Sequence, residues 1–152
     1  VPSAAARLKA MTLLAEHGIP TSALLAPVIP AINDDEFESI LQAVAGAGAE
    51  QAHYIFLRLP HELLDIFSEW LATHFPDRKD RVLSLVRQAS GGRSYVARFG
   101  VRQTGRGAYA DMLASRFRAA SRKLGLEPDS YQRALDCTQF SKPGVQQLGL
   151  DF

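Results

Sequence analysis

The stretch TSALLAPVIPAINDDEF, residues 21–37, determines the fold that the sequence predicts. Its first eight residues form a short, almost uncharged run with a β-branched residue at each end, which is typical of a strand buried on both faces. Pro27 and Pro30 fix the backbone of the loop over residues 27–33. The stretch therefore predicts a buried strand over residues 21–28, followed by a rigid turn.

A helix start follows this turn. Asn33 stands at the N-cap position and Glu36 at N3, which is an Asn variant of the capping box. Ile32 and Phe37 occupy the two positions between which a hydrophobic staple forms. These signals predict a helix that runs to about Ala45 and ends at the glycines that follow.

A second strand is predicted in QAHYIFLRL, residues 51–59, because the run is rich in aromatic and β-branched residues. Helical patterns precede the first strand, over residues 3–17, and follow the second, over residues 60–74. The alternation of helices and strands predicts a βαβ unit with a parallel sheet, hence the α/β class. Because two strands alone do not make a stable parallel sheet, we expect further strands beside them.

The rest of the chain is predicted to be mainly helical. Asp77 caps a predicted helix to about residue 88, and a long amphipathic helix covers residues 109–124. These patterns divide the chain into a βα part over residues 1–76, a basic helical extension over residues 77–135 and an extended tail over residues 136–152.

The composition indicates a globular protein, since 47% of the 152 residues are hydrophobic and 22% are charged. No apolar run reaches the roughly 18 to 20 residues that a membrane span needs, so no membrane partner is expected. The single cysteine, Cys137, allows no internal disulfide and favours a cytoplasmic location. Val1 and Pro2 lead almost at once into a helix, so the chain is expected to begin inside a larger protein.

The charges are distributed unevenly. Residues 1–76 contain three basic and nine acidic residues, a net charge of −6, whereas residues 77–133 contain thirteen basic and five acidic residues, a net charge of +8. The basic half is either a nucleic-acid-binding face or an Arg-rich solvated helical surface. In its Gly-rich loop, Arg98, Arg102 and Arg106 are candidate phosphate contacts.

Candidate ligand-binding residues follow the two strands, because functional residues of parallel α/β sheets cluster at the carboxyl ends of strands. The turn over residues 26–34 either binds an anion such as a carboxylate at the helix N-terminus, or is a well-formed turn in which Asn33 only caps. Arg58 is the only charge in an apolar strand. It either holds a ligand carboxylate or phosphate, or pairs with an acid such as Glu62.

The sequence predicts no metal site. The four histidines lie far apart, and no two of them have the i, i+4 spacing of metal ligands on a helix. Cys137 has no nearby partner and is interpreted as an inert thiol.

Five segments occur in an order that resembles a known family: PVIPAIND, YIFLRLP, HFPDR, RFGVRQTGRGAYADM and RFRAASRKLGL. They resemble the C-terminal half of radical S-adenosylmethionine proteins related to spore photoproduct lyase, a group described as DNA repair photolyase-like. The resemblance covers about residues 3–152, and the order of the segments is more specific than any one of them.

The resemblance implies a partial (βα)6 TIM-like barrel, of which residues 21–28 and 51–59 are the last two parallel strands. It also implies S-adenosylmethionine and a [4Fe–4S] cluster in the full-length protein, held by a CxxxCxxC motif that this chain does not contain. The chain alone is therefore expected to be inactive. By the family pattern, five residues help to close the cofactor pocket: Ala26, Pro27, Pro30, Asn33 and Arg58.

The chain finishes on QLGLDF, residues 147–152, which resembles the short peptide with which bacterial repair and replication proteins bind the sliding clamp. In such a peptide Gln147 would form hydrogen bonds at a pocket rim, and Leu148, Leu150 and Phe152 would fill apolar pockets. The alternatives are a tail that docks on its own domain and a tail without a role.

Two functions are consistent with these patterns. The first is the C-terminal part of a radical S-adenosylmethionine enzyme that acts on DNA or RNA through residues 77–133. The second is a non-catalytic module that binds through its basic surface and through the clamp-binding peptide.

Overall fold

The computed structural model describes residues 2–60, 62–92, 103–126 and 138. Five α-helices and two strands follow one another in these residues: α1 (Ala4–Glu16), β1 (Ser22–Val28), α2 (Phe37–Gly46), β2 (Gln51–Phe56), α3 (Leu63–His74), α4 (Lys79–Ala89) and α5 (Ala108–Lys123). Short 3-10 helices at Asp34–Glu36 and Pro76–Arg78 precede α2 and α4. The longest of these helices, α5, has 16 residues, and none in the described part of the chain is both long and apolar enough to cross a membrane.

The two strands pair in parallel, with α2 as the connection between them. Ser22 lies opposite Gln51 and Leu25 opposite Tyr54, and the register shifts before Val28 meets Phe56. The α/β class and the parallel pairing are therefore confirmed. Parallel pairing brings the carboxyl ends of both strands to the same edge of the sheet.

β1 is buried on one face, so the prediction of a strand buried on both faces is wrong for the described residues. Ala23, Leu25 and Val28 are buried against the core, whereas the alternate side chains are exposed, and Leu24 is 60% exposed. The pattern was misleading because Leu24 and Ala26, at exposed positions, are apolar like the buried residues, and no described element covers Leu24.

β2 is shorter than predicted, because it ends at Phe56 and not at residue 59. The pairing continues for one residue beyond the strand, since Leu57 N–H donates to the Val28 carbonyl over 2.9 Å. Pro60 has no N–H to donate, and the chain leaves the sheet before it.

Of two predicted helix ends, one is wrong and one is confirmed. α4 begins at Lys79 after a 3-10 turn, and no side chain caps it, so the prediction that Asp77 is its cap is wrong. By contrast, Gly18 ends α1 as predicted, with φ of +69° and with Ile19 N–H bonded back to the Leu14 carbonyl.

One hydrophobic core joins the βα part to the basic helical extension. Phe37 of α2 contacts Tyr54 of β2 and Phe117 of α5, with ring centroids 5.4 and 5.7 Å away, and the rings of Tyr54 and Phe117 lie 4.9 Å apart. The largest fully buried aliphatic side chains of this core come from helices of both parts and from the turn after α5: Leu41, Leu71, Val82, Leu113 and Leu126.

Ser121→Ala is expected to stabilise the fold by about 1 kcal/mol. The Ser121 side chain is fully buried on α5, and its hydroxyl has no hydrogen-bond partner among the residues that the structure describes. A buried hydroxyl without a partner costs roughly 1–3 kcal/mol, and alanine also has the higher helix propensity. The midpoint of urea unfolding should rise, and a fall in that midpoint would contradict the expectation. Ser115→Ala, at an exposed position of the same helix, is the control.

Candidate functional site

The turn after β1 is held together by the side chain of Asn33. Its Oδ1 accepts a hydrogen bond from Ile29 N–H at 2.7 Å, and its Nδ2 donates to the Pro27 carbonyl at 3.1 Å. Asn33 therefore does not cap a helix, and the predicted capping box is wrong: a 3-10 turn follows, and α2 begins only at Phe37. The same amide group that can satisfy a helix end here satisfies two backbone groups of the turn.

Two residues from the helical extension hold the turn from outside. Arg78 Nη1 donates to the Ala31 carbonyl at 3.1 Å, and the Tyr109 hydroxyl donates to Asp34 Oδ2. Ala31 has φ of +57°, in the left-handed region that non-glycine residues rarely occupy. The turn is therefore an ordered part of the structure, fixed from within by Asn33 and from outside by α5 and the start of α4.

The loop before α5 reaches the same edge of the sheet. Phe56 N–H donates to the Gln103 carbonyl at 2.7 Å, and Arg106 N–H donates to the Ala89 carbonyl at 2.8 Å. We call the turn of residues 27–34, the residues after β2 and Gln103 together the strand-end rim. The strand-end rim therefore contains residues from both the βα part and the helical extension.

The predicted cofactor residues are only partly brought together. Ala26, Pro27 and Asn33 line one groove with a volume of about 490 Å³, between α1, β1 and α2. Pro30 is buried, and Arg58 is half-buried two residues beyond β2, and neither is among the residues that line this groove. The groove is mainly apolar, and Arg7 is the charged residue on its wall.

A second group of functional candidates lies on α5. Arg118, Arg122 and Lys123 are exposed, as is Arg106 before the helix. Arg116 instead forms an ion pair with Glu38 of α2, with Nη2 and Oε2 2.7 Å apart. The hydrogen bonds from Arg116 lower the pKa of the Glu38 carboxyl below its ordinary value, against a smaller effect of burial. The cations of α5 thus divide into one that holds α2 and a set that faces solvent.

Some predicted residues lie outside the described part of the chain. These are the phosphate-contact candidates Arg98 and Arg102, the clamp-binding candidates Gln147, Leu148, Leu150 and Phe152, and also His61 and Cys137. Of the three arginines predicted as phosphate contacts in the basic loop, Arg106 alone is described.

The sequence missed the contribution of Asp34, Arg78 and Tyr109. The sequence patterns place Asp34 directly after the predicted N-cap Asn33, and Tyr109 at the start of a predicted helix. Asp34 and Tyr109 are 75 positions apart. Nothing in the local pattern of either residue indicates a contact over that separation.

The Tyr109 contact predicts a loss of stability in alkali. Burial, and then the hydrogen bond to Asp34 and its negative charge, raise the pKa of Tyr109, and burial raises the pKa of Tyr54. Because both folded pKa values lie above the ordinary value of about 10, the fold favours the protonated phenols. The contribution of the two protonated phenols to the free energy of unfolding is complete below about pH 10 and is lost as the pH rises above that value.

Urea unfolding between about pH 8 and pH 11 measures this loss, and absorbance of the tyrosinate ion follows the titration itself. Tyr109→Phe should be less stable than the wild type at neutral pH, because Asp34 loses its donor, and should lose less stability in alkali. An identical pH dependence in the two proteins would contradict the assignment.

Comparisons of the chain with protein-family models, with curated proteins and with solved structures find no match.

Proposed function

We propose that the chain is the C-terminal part of a cytoplasmic radical S-adenosylmethionine protein of the spore photoproduct lyase-related group, and that the parent protein acts on nucleic acid. The observation that carries the proposal is the parallel pairing of β1 and β2, with both carboxyl ends at one rim beside the turn of residues 27–34. A (βα)6 barrel needs this arrangement in its last two strands. On this proposal the missing strands continue the sheet beyond β1.

The residues of this chain do not fit the cluster. A [4Fe–4S] cluster takes thiolate ligands, and the chain has one cysteine. Among the described residues, no three His, Cys, Asp or Glu side chains gather as a metal ion would require. The cluster ligands must therefore come from another part of the parent protein, and no step through the cluster is assigned to this chain.

The fit to S-adenosylmethionine is limited to surface contacts. Each end of the Asn33 amide makes one hydrogen bond within the turn, so this side chain shapes the rim. Ala26 and Pro27 are exposed and offer backbone and an apolar surface beside it. Arg58 is the cation nearest in sequence to the end of β2 and is the candidate for a ligand carboxylate.

Anaerobic reconstitution of the full-length parent with iron and sulfide tests the enzyme proposal. A protein that takes up a cluster, with charge-transfer absorption that responds to S-adenosylmethionine, supports it. A parent sequence without a CxxxCxxC motif, or a protein that binds no iron, would refute it.

A second function is proposed for the exposed cations: binding of the phosphate backbone of nucleic acid. Residues 77–126 of the described chain contain nine basic and three acidic side chains. Arg118 and Arg122 stand one turn apart on the exposed side of α5, where they can reach successive phosphates. Such contacts give affinity without sequence preference.

Arg118→Glu/Arg122→Glu is expected to weaken binding to a fluorescein-labelled DNA duplex by at least about tenfold at low salt. Each lost phosphate contact should also lower the slope of log K against log salt by about 1, so the double variant should lose about 2. Fluorescence anisotropy titrations at several salt concentrations measure both quantities. Arg7→Glu/Lys9→Glu on α1 is the control, since it makes the same charge change outside the basic extension. Equal losses in both variants would show that only net charge matters.

The tail is proposed to bind the sliding clamp through Gln147, Leu148, Leu150 and Phe152. Support comes from the sequence QLGLDF, in which alternate apolar residues can enter pockets while the backbone stays extended. A fluorescent peptide of residues 143–152 is titrated with purified clamp, beside the Gln147→Ala/Leu150→Ala peptide. Saturable binding by the first peptide alone supports the proposal, and negligible binding by both removes it.

A further inference from the structure

α3 presents an unusual exposed surface. Leu63, Ile66 and Trp70 are 45%, 60% and 38% exposed, and a rotation of about 100° per residue places them within one narrow stripe of the helix. Trp70 is held in place by its neighbours, since its ring stacks on Phe67 at 5.4 Å and lies 5.2 Å from the ring of Phe75. A large, preordered aromatic side chain at the surface is typical of an interface anchor.

An acidic strip runs along one side of this apolar stripe. Glu62, Asp65 and Glu69 are all exposed, and the helical rotation places the three on the same flank, next to Ile66. Asp65 and Glu69 are four residues apart, so they are separated by about 6 Å along the helix axis. The surface therefore fits a partner that has a flat apolar centre and two cations, one turn apart, on one flank.

α5 has the complementary surface. Its exposed side carries Ser115 and Ala119, which are small, and Met112, which is 42% exposed. Arg118 and Arg122 lie on one flank of these residues and are also four residues apart, about 6 Å along the axis. Small residues allow a bulky side chain from another helix to approach closely.

The directions of the two strips fix how the helices can pack. Each helix has one flank that precedes its contact face in the direction of the helical rotation. When two helices pack antiparallel, these two preceding flanks lie beside each other. When they pack parallel, the two preceding flanks lie on opposite sides of the contact. On α3 the acidic strip is the flank that precedes the apolar stripe. On α5 the flank with Arg118 and Arg122 likewise precedes the small residues. Antiparallel packing therefore pairs Asp65 with Arg122 and Glu69 with Arg118, and sets Trp70 against Ser115 and Ala119.

We propose that α3 of one molecule packs antiparallel on α5 of a second copy of this chain, with Asp65 against Arg122 and Glu69 against Arg118. The occupant is identified by charge complementarity and by equal spacing, both read from described residues. This inference does not rest on the proposed function. It does predict that nucleic acid and the second copy compete for Arg118 and Arg122.

The test is sedimentation velocity of the full chain over a range of concentrations, at about 50 mM and about 500 mM salt, where the Debye length falls from above 10 Å to below 5 Å. Self-association at low salt that weakens at least about tenfold at high salt is expected. A chain that stays monomeric at low salt at every concentration would overturn the proposal. Arg7→Glu/Lys9→Glu should associate like the wild type, because α1 takes no part in the contact.

Two charge-reversal variants make the test specific. Asp65→Lys/Glu69→Lys turns both surfaces basic, and Arg118→Glu/Arg122→Glu turns both acidic, so each variant alone should be monomeric. An equimolar mixture of the two should associate again, because each variant then supplies the surface that the other needs. Loss of association in each variant without recovery in the mixture would overturn the pairing, as would association that neither variant weakens.

Nucleic-acid binding separates this inference from the proposed function. Asp65→Lys/Glu69→Lys should lose self-association and bind DNA at least as tightly as the wild type, because Arg118 and Arg122 are intact and the substitutions add positive charge. Added duplex should also dissociate the wild-type assembly. If duplex binds with no effect on the assembly, the second copy does not cover Arg118 and Arg122, and the proposed contact is wrong.

Discussion

Phe37→Ala is expected to lower the free energy of unfolding by about 3–5 kcal/mol, the largest effect of any substitution considered for this chain. Phe37 is 1% exposed and contacts the rings of Tyr54 and Phe117. The change deletes the ring that joins α2, β2 and α5, and the cavity cannot close without moving the sheet and a helix of the extension. The expected loss therefore has two parts, the transfer free energy of the deleted ring and the free-energy cost of the cavity that it leaves.

Urea unfolding followed by the fluorescence of Trp70, the single tryptophan, measures this loss. Leu13→Ala is the matched control, because Leu13 is 48% exposed and its truncation should change stability by less than about 0.5 kcal/mol. A loss below about 1 kcal/mol for Phe37→Ala would show that the aromatic cluster does not join the two parts of the chain as described.

Gly48→Ala is expected to destabilise the chain by about 2–5 kcal/mol, from two separable causes. Gly48 has φ of +88°, where an L-residue costs roughly 1–2 kcal/mol. A Cβ at Gly48 would also lie 2.5 Å from the Ala15 Cβ of α1, so α1 and the loop before β2 would have to separate. Overpacking of this kind costs roughly 1–3 kcal/mol.

A second substitution separates the two causes. Ala15→Gly in the Gly48→Ala background removes the atom that the new methyl group meets. Measured against Ala15→Gly alone, which has its own helix-propensity cost of roughly 1 kcal/mol, Gly48→Ala should lose the steric part of its effect and keep the backbone part. Gly46→Ala is the control, because a Cβ there has no neighbour within 4 Å and the residue is the last of α2. Equal effects of Gly46→Ala and Gly48→Ala in urea unfolding would contradict this account.

The class and topology were accessible from the sequence because they depend on short-range patterns. Apolar runs over residues 21–28 and 51–59, separated by one helix, leave few arrangements other than a parallel pair. Helix ends fixed by a glycine, such as Gly18, were also predictable, since a positive φ selects that residue type. The ends of the strands were less predictable, because Leu57 still pairs with Val28 of β1 although β2 has already ended.

The details of the site were less predictable, for a physical reason in each case. The side-chain amide of Asn33 can form hydrogen bonds either with the backbone of a helix N-terminus or with the backbone of a turn. The difference in free energy between the two is small, so it cannot be predicted from the local sequence. The exposed Leu24 and Ala26 of β1 are apolar like the buried residues beside them, so no polar–apolar alternation marks the exposed face. The contacts of Tyr109 with Asp34 and of Arg116 with Glu38 join distant parts of the chain, and only the tertiary packing brings them together.

The packing of α5 on α2, in which Phe37 contacts Phe117 and Arg116 pairs with Glu38, has an electrostatic consequence. It joins a segment with three basic and nine acidic side chains over residues 2–76 to one with nine basic and three acidic side chains over residues 77–126. A nearly neutral molecule built in this way carries a dipole moment. In the electric field of a polyanion such a molecule experiences mainly a torque and little net attractive force. It should therefore rotate before contact and meet the polyanion with its positive end.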